Sequence, residues 1–391
     1  MSKTIKGRIV HLDKYIQQRW NEHYLEFVLR HKDRLHWSCV SSNINITQAI
    51  IENNLDLEWD WGRVSYNPNL TWDFIVKYKD KPWDWAGISE NPNITIEIVE
   101  NYMNTEWVKW DWGGLSENPN ITLEFIEKYS RKPWNSYYIS SHPNMTMDFI
   151  QNHLERYWDW MGISRNPNLT IEFIQAHLDK PWSWGWISQN PNITWNIIEK
   201  YLNVPWVKWK WSGISLNPNI TMEIVENNPD KSWDYFSMAG NPNVTIEFIE
   251  KHSDKYWDWN DLSDGPITIK YIEEHLTEPF NWYFISQNEN ITWDIIKSTP
   301  KVDWSKWDWD GISLNPNISI DIIENNLDKN WCWRRISLNL FTKEKEAFFQ
   351  KYYRIYMATF RLQQYFNRMY DNPKYQFCRK RLEKSFKKLL K

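Results

Sequence analysis

The feature that most constrains the fold is a turn phrase, Asn-Pro-Asn-Ile-Thr, that recurs at a nearly constant interval. Full copies begin at Asn91, Asn118, Asn190 and Asn217. Weaker copies begin at nine further positions: Asn43, Asn67, His142, Asn166, Asn241, Gly265, Asn288, Asn315 and Asn339. Most steps between copies are 24 residues, one is 23 and three are 27. Such a short period is the signature of a repeat array, in which each unit packs against its neighbours.

The three long steps carry a second regularity. Each adds residues before a tryptophan pair, and the added tryptophans are Trp107, Trp206 and Trp304. They lie 99 and 98 residues apart. This spacing indicates either the duplication of a block of four units or a selected superhelical period.

The first part of each unit predicts a helix. Thr95 follows the turn and precedes apolar residues at helical spacing, from Ile96 to Tyr102. Because a threonine or serine occupies this position in every unit, we expect its hydroxyl to cap a helix of about ten residues. The capping positions include Thr71, Thr122, Thr170, Thr245, Ser319 and Thr342.

The second part predicts a shorter helical piece that starts near Asp80 and runs to about Ser89. Pro82, like Pro133 and Pro181, suits a first helical turn, where no backbone hydrogen bond is lost. The following Asn-Pro ends the piece, because a residue before proline is pushed out of helical geometry. With about seven residues, it is expected to be 3₁₀ rather than α-helical.

Helices this short do not fold alone, so stacking must bury a continuous ribbon of Trp, Ile and Phe. The predicted fold is all-α: a right-handed α/α or α/3₁₀ solenoid of about twelve 24-residue repeats with helical caps. At helix spacings of about 8–10 Å, it would be a rod on the order of 100 Å long. We assign residues 1–36 to an N-terminal helical cap, 37–342 to the solenoid, and 343–391 to a basic C-terminal helical cap or tail.

The order Asn-Pro-x-x-Thr, helix, short second helix resembles the leucine-rich variant repeat, an alternating α and 3₁₀ superhelix. The resemblance covers the architecture over about residues 37 to 342. The Trp-rich units and the tail are also similar to uncharacterised repeat proteins of giant DNA viruses. That second likeness implies a virus-encoded protein, without an activity to carry over.

Composition and charge narrow the function classes. Aromatic residues make up 17% of the chain, which excludes a disordered polymer. No stretch approaches the ~18 apolar residues of a membrane span, and no secretory signal is evident, so we expect an intracellular protein without a membrane partner. The net charge of −4 combines +10 over residues 343–391 with −14 over the remainder. An acidic array therefore carries a basic tail.

The aromatic residues are the first candidates for a binding site. The Trp pairs, such as Trp83 and Trp85, could form a stacking platform for sugars or bases, but packing between units is the preferred interpretation. Because positions i and i+2 do not share a helix face, one member of each pair is expected to be partly exposed. Trp107, Trp206 and Trp304 are the predicted partner contacts.

The histidines and the tail complete the candidates. His153, His177, His252 and His275 share a unit position with Tyr78 and Tyr129, which indicates a stacking column rather than a metal site. Turn asparagines such as Asn91 and Asn93 are expected to bond the backbone of their own or the next unit. In the tail, Arg379, Lys380 and Arg381 are candidate contacts for an acidic partner or simply a solvated face.

The sequence therefore predicts a non-catalytic scaffold for protein–protein interaction, without cofactors or metal, in the cytoplasm or, if viral, in the host cytoplasm or virion. The turn asparagines occur in nearly every unit, and such repetition argues against catalysis, because catalytic residues occur once. Two alternatives stay open. One is nucleic-acid binding through the basic tail alone, because phosphate binding depends on Lys and Arg. The other is a substrate adaptor of a ubiquitin ligase, for which no clear box motif is present.

Overall fold

The computed structural model describes residues 3–299 and 302–371, with positions 374, 376, 379–381 and 384 near the C terminus. All regular structure in these residues is helical. The predicted all-α repeat solenoid is confirmed. The chain divides into two compact units: Val28–Leu340, called the repeat unit here, and Met1–Phe27 together with Phe341–Lys391.

Two kinds of short helix alternate through the repeat unit, between a long first helix α1 (Lys3–Arg30) and a long last helix α27 (Thr342–Asp371). The even-numbered helices, called Trp helices here, are α2 (Trp37–Ser42), α4 (Trp61–Val64), α6 (Trp85–Glu90), α8 (Trp112–Glu117), α10 (Ser136–Ser141), α12 (Trp160–Arg165), α14 (Trp184–Gln189), α16 (Trp211–Leu216), α18 (Tyr235–Met238), α20 (Trp259–Asp264), α22 (Trp282–Gln287), α24 (Trp309–Leu314) and α26 (Trp333–Leu338).

The odd-numbered helices, called Thr helices here, follow the capping threonine or serine. They are α3 (Gln48–Asn53), α5 (Trp72–Lys77), α7 (Ile96–Tyr102), α9 (Leu123–Lys128), α11 (Met147–Asn152), α13 (Ile171–Ala176), α15 (Trp195–Tyr201), α17 (Met222–Asn227), α19 (Ile246–Lys251), α21 (Ile269–Glu274), α23 (Trp293–Ser298) and α25 (Ile320–Glu324). Along the chain, twelve Thr helices thus alternate with thirteen Trp helices. We number the repeats 1 to 13 by their Trp helices.

The Thr helices begin largely as predicted but end early. The Thr95 hydroxyl accepts a hydrogen bond from Ile98 N at 3.3 Å, yet α7 has seven residues rather than ten. Thr71 and Thr194 hold the N-cap position without the predicted cap bond, and the prediction for Thr342 is wrong. Thr71 makes no cap bond and donates instead to Gln48 Oε1 at 3.1 Å. Thr342 is the first residue of α27, after a shortened turn in which Phe341 has φ 51°.

The Trp helices differ from the prediction in both type and start. In α6, the Ile88 N–H bonds to Asp84 O at 3.1 Å, which is the α-helical i to i−4 pattern. Asp84 is the N-cap, so Pro82 lies before the helix and not in its first turn. Among the described residues, 3₁₀ geometry is confined to Trp304–Lys306. An aspartate cap two residues after the proline explains the later start.

A hydrogen-bond ladder joins each repeat to the preceding one, except repeat 10, where alanine and glycine replace the ladder serine and asparagine. The Asn67 amide donates to three carbonyls of repeat 1: Ser41 O, Asn43 O and Ile46 O, at 3.2, 3.1 and 3.1 Å. A second bond runs from Asp60 N to the Ser41 hydroxyl at 3.0 Å. The Asn67 Oδ1 atom also accepts from Asn69 N at 2.9 Å, so the predicted bond within the same turn is confirmed. The second partner is the preceding repeat rather than the next one.

The same ladder joins the first repeat to the last. His36 N donates to the Ser337 hydroxyl at 2.8 Å, and the Asn43 amide donates to Ser337 O and Asn339 O at 3.1 and 3.2 Å. The Asn45 amide reaches Leu340 O at 3.1 Å. The repeat unit therefore closes on itself, and the expected open rod of about 100 Å is wrong for it. We call this closing interface the seam.

The two helix rows pack at different distances. Trp helices of neighbouring repeats pack against each other, whereas neighbouring Thr helices lie farther apart. In a closed unit the more closely spaced row is the inner one, so the Trp helices form the inner row. Glycine allows the closest approaches, because a Cβ at Gly114 would lie 2.6 Å from Ala86 O.

The other compact unit is built from the two ends of the chain, which the sequence analysis treats as separate caps. In α1, Trp20 and Phe27 are buried. The Trp20 ring lies 5.5 Å from that of Phe348, and the Phe27 ring lies 5.7 Å from that of Phe341. A His23–Glu344 contact of 3.3 Å adds a polar link. The predicted long aromatic helix after residue 342 is confirmed as α27.

Candidate interaction surface

The two tryptophans of each pair have different surroundings. Trp83, the first of its pair, is buried, and its indole N–H donates to Tyr78 O at 3.0 Å. Trp85, the second, opens its helix and is half-buried. The second tryptophan is half-buried in all nine Trp-x-Trp pairs at this position, and the first is buried in six of them, so the prediction that one member is partly exposed is confirmed.

Each second tryptophan is one side of an interface between repeats. The Trp61 ring meets the edge of Trp83 from the next repeat at 5.2 Å and 90°. It also stacks on Phe74 at 6.3 Å, and Lys81 Nζ lies 4.8 Å from its centroid. Equivalent edge contacts join Trp112 to Trp134, Trp160 to Trp182 and Trp309 to Trp331. The packing interpretation of the pairs is confirmed.

The predicted contact tryptophans of the long repeats are less open than their position suggested. Trp107 is half-buried and stacks on Trp72 at 5.8 Å and 14°. Trp206 is half-buried between Tyr201 and Trp184, at 5.9 and 6.2 Å. The side chain of Trp304 lies outside the described residues. Their role as partner contacts stays a prediction.

The long repeats do alter the indole hydrogen bonds. In the 24-residue repeats, the first tryptophan donates to the carbonyl five residues earlier, as Trp158 does to His153 O at 2.8 Å. In the long repeats, the buried indole nitrogens of Trp110, Trp209 and Trp307 have no partner within the described structure. The inserted residues carry the carbonyl away. These three sites are polar defects in the core of the repeat unit, as are the buried Trp72 Nε1 and His252 Nε2.

The histidine column packs as predicted. The His153 ring lies 4.3 Å from that of Phe149, and the His275 ring lies 4.1 Å from that of Tyr271. Tyr78 takes the same place against Phe74 at 4.8 Å. No group of three or more His, Cys, Asp or Glu side chains in the described part of the chain could hold a metal ion.

The predicted tail contacts lie among the few described C-terminal residues. Arg379 and Lys380 are helical and exposed, and Arg381 is partly buried. The rest of the predicted basic helix, from Tyr375 to Lys391, falls mostly outside the described residues. A role for these cations stays a prediction.

Two exposed tyrosines were missed by the sequence analysis. Tyr157 is 86% exposed and Tyr256 is 79% exposed, more than any other large apolar side chain described. They lie 99 residues apart, at the same position of the duplicated block. Both tyrosines occupy the position that proline holds in segments such as Asp80-Lys81-Pro82-Trp83, so the sequence alone could have identified them. A large ring at that place stays mostly exposed to solvent.

A groove lies beside each exposed tyrosine. The first, of about 530 Å³, lies between Trp134 and Tyr157, and the second, of about 460 Å³, between Trp233 and Tyr256. In the second groove, Tyr256 stacks on Phe236 at 5.5 Å and 14°. The two grooves therefore occupy matching places but differ in how far the chain's own side chains fill them.

Two titratable groups in the repeat unit are perturbed by their surroundings. Burial, with the nearby charges of Glu117 and Asp84, raises the pKa of Glu90 above its ordinary value. Burial lowers the pKa of His142, which stands in place of a ladder asparagine and contacts Asn118 O at 3.2 Å. Both effects follow from close packing along the inner row and the turn ladder.

Comparison with protein-family models, curated proteins and solved structures finds no match for this chain. In the described part of the chain, no helix combines the length and the apolar character needed to cross a bilayer. A function for this protein is therefore inferred from the geometry of the repeat unit and its surface.

Proposed function

We propose that this protein is a non-catalytic scaffold that binds a protein partner through exposed aromatic side chains of the repeat unit. The observation that carries the proposal is the exposure of Tyr157 and Tyr256 beside two matching grooves. Protein-binding sites are enriched in Tyr, Trp and Arg, and centre on such anchors.

The internal chemistry of the repeats supports the same proposal. The ladder asparagines and serines and most first tryptophans are engaged in bonds between repeats, as in the Asn67 and Trp83 contacts. Their polar groups hold the fold together, which leaves the rims and the exposed rings for a partner. A closed unit of thirteen Trp helices presents these rings on one rigid body.

The experiment is affinity purification with the full chain as bait from the cells that express it. We expect a specific partner that is retained by the wild type and lost from the double variant Tyr157→Ser and Tyr256→Ser. The matched control replaces two other exposed apolar residues, Leu55→Ser and Leu178→Ser, which are 46% and 48% exposed.

An equal partner set for all three proteins would contradict the proposal. The variant Trp107→Ala with Trp206→Ala and Trp304→Ala tests the long repeats in the same way. Loss of the partner from that variant alone would move the contact to the long repeats.

Nucleic-acid binding through the tail is a second candidate, which the exposed cations Arg379 and Lys380 favour. It predicts weak binding to a labelled duplex that falls steeply with salt and disappears when residues 371–391 are deleted. Salt-independent binding would exclude a phosphate contact. A cytoplasmic or virion location, a viral origin and a ubiquitin-ligase adaptor role stay proposals. Co-purification of ligase subunits would support the last.

A further inference from the structure

One Trp helix has no aromatic residue at its first position. Eleven of the thirteen Trp helices begin with Trp, α18 begins with Tyr235, and α10 begins with Ser136. Ser136 therefore stands where an indole or a phenol packs between repeats everywhere else. A serine side chain is far too small to fill the same space.

The neighbouring repeat shows what an indole meets at this position. The Trp160 ring stacks on Phe173 at 6.5 Å and 17° and meets the edge of Trp182 at 5.0 Å. Lys180 Nζ covers it, 5.6 Å from the centroid. The partners of the indole are thus an aromatic face, an aromatic edge and a cation.

All three partners are kept around Ser136, although the indole is missing. Phe149 supplies the face and Trp158 the edge, with their rings 6.3 Å apart at 83°, as in the Phe173–Trp182 pair at 6.2 Å and 85°. Arg156 supplies the cation, but with no indole between them its guanidinium lies over Phe149 itself, 5.5 Å from the ring centroid. Phe149 is half-buried, whereas its counterpart Phe173 is buried.

The first groove opens at this place. Its floor is apolar, with Ile139 and Trp158, and its walls are Trp134 and the exposed Tyr157. Ser136 lies in the lining, so the groove reaches the position of the missing indole. The groove lining carries two cations, Lys132 and Arg156, and one carboxylate, Glu155. The rim therefore favours an acidic partner.

We infer that the Ser136 groove binds a tryptophan side chain carried by an acidic segment of a partner protein. The indole would take the place of the Arg156 guanidinium over Phe149 and meet the edge of Trp158. Arg156 would then cover the outer face of the bound ring, as Lys180 covers Trp160. Carboxylates on either side of it would pair with Lys132 and Arg156. This inference rests on the proposed scaffold function and names the chemistry of its partner.

The probe is a fluorescein-labelled pentapeptide with a central tryptophan and Asp or Glu at the other four positions, titrated with the full chain. We expect saturable binding at one site by calorimetry and anisotropy. A peptide with serine at the centre is expected to bind at least about tenfold more weakly, because it has no ring to bury. A peptide with lysine flanks is also expected to bind more weakly.

Two variants test the location from opposite directions. Ser136→Trp restores the missing indole, and we expect it to abolish peptide binding and raise the thermal midpoint. Trp61→Ser opens an equivalent space against Phe74, Trp83 and Lys81. We expect it to increase the binding stoichiometry from one to two. Tyr157→Ser removes only a wall and is expected to weaken binding about fivefold.

Equal affinity of Ser136→Trp and wild type, equal affinity of the tryptophan and serine peptides, or no binding at millimolar peptide would each overturn the inference. N-acetyltryptophanamide binding as tightly as the peptide would also overturn it, since the site would then be one for a small aromatic molecule. If the peptide does not bind but purification still finds a Tyr157-dependent partner, only this inference fails and the scaffold proposal stands.

Discussion

The seam and the interface between repeats 9 and 10 differ in an instructive way. At the seam no short turn links the two repeats, yet the ladder is present: His36 N bonds to Ser337, and Asn43 bonds to the last turn. Repeats 9 and 10 are joined by the chain itself, yet Ala239 replaces the ladder serine and Gly265 replaces the ladder asparagine. The seam thus keeps the ladder without a covalent link, whereas this one chain-linked interface lacks it although its neighbours keep it.

The aromatic layer shows the opposite pattern. Between repeats 9 and 10, Tyr235 and Trp257 keep the edge contact at 5.4 Å. At the seam, Leu35 replaces the first tryptophan, and the Trp333 ring instead packs against His31 at 5.0 Å under Arg34 at 5.2 Å. Aromatic packing is non-directional and accepts substitutes, whereas the backbone ladder depends on particular donors and acceptors.

The largest expected effect comes from removing the seam ladder. Asn43→Ala with Ser337→Ala deletes three hydrogen bonds across the seam and two local ones, so we expect the free energy of unfolding to fall by at least about 3 kcal/mol. Hydrogen exchange should rise at the amides of residues 336–340. The control, Asn67→Ala with Ser41→Ala, should lose similar stability, with local exchange that stays closer to that of the wild type. An unchanged denaturation midpoint for the seam variant would contradict a role for the ladder in closure.

A smaller effect of opposite sign is expected between repeats 9 and 10. Ala239→Ser restores the hydroxyl that accepts a backbone N–H in the other repeats, and we expect about 1 kcal/mol of added stability by urea unfolding. Gly265→Asn is the matched control, for which we expect no added stability. Gly265 has ψ −130° instead of the extended value near 130° of the ladder asparagines, so no gain is expected. A gain from Gly265→Asn alone would contradict this account.

A ladder position with an ionisable donor should make stability depend on pH. Burial lowers the pKa of His142 in the folded protein below its ordinary value of 6.5. Stability contributed by the neutral ring is therefore lost as pH falls below about 6.5. We expect His142→Asn to be more stable than wild type at about pH 5.5, with the difference shrinking at about pH 7.5. The same difference in unfolding free energy between the two proteins at both pH values would contradict this.

The smallest effects are expected from ion pairs on the Thr helices. At the seam, burial raises the pKa of Glu324, but its hydrogen bonds and charge contacts with Arg30 and His31 bring it below the ordinary value. The ion pair stabilises the fold above about pH 4.5 and is lost as pH falls through the lowered pKa. We expect Glu324→Gln to lose about 0.5–1 kcal/mol at neutral pH and nothing in acid.

The interior counterpart sharpens the same comparison. Glu52 pairs with Lys77 at 2.7 Å on an exposed surface. Solvent screens this pair, and the chain already connects the two repeats, so Glu52→Gln should cause no measurable change in the unfolding midpoint. A larger loss for Glu52→Gln than for Glu324→Gln would show that the seam does not depend on its ion pair.

Much of the fold could be predicted from the sequence because it is set locally. The period, the capping threonines and the alternating burial of the Trp pairs all follow from contacts within one repeat or between adjacent ones. The exposed tyrosines and Ser136 could also have been identified from the sequence, because each departs from the repeat pattern at a defined position. They were missed because the pattern itself, rather than its exceptions, was used to find candidates.

Helix boundaries and the direction of the ladder needed the tertiary structure. Asp84 competes with Pro82 as the start of α6, and only the observed hydrogen bonds show which residue caps it. The Asn67 amide could reach a repeat on either side, and the stacking geometry selects the preceding one. These choices depend on how neighbouring backbones lie in space.

By itself, the sequence determined that this protein is an array of two-helix repeats with tryptophans between them. Tertiary structure alone decided that the array closes and that the space beside Ser136 stays open to solvent. Closure requires a rotation of about 28° per repeat, one full turn divided among thirteen. A few degrees more or less would leave an open coil, and such a small angle comes from the sum of packing contacts rather than from any motif.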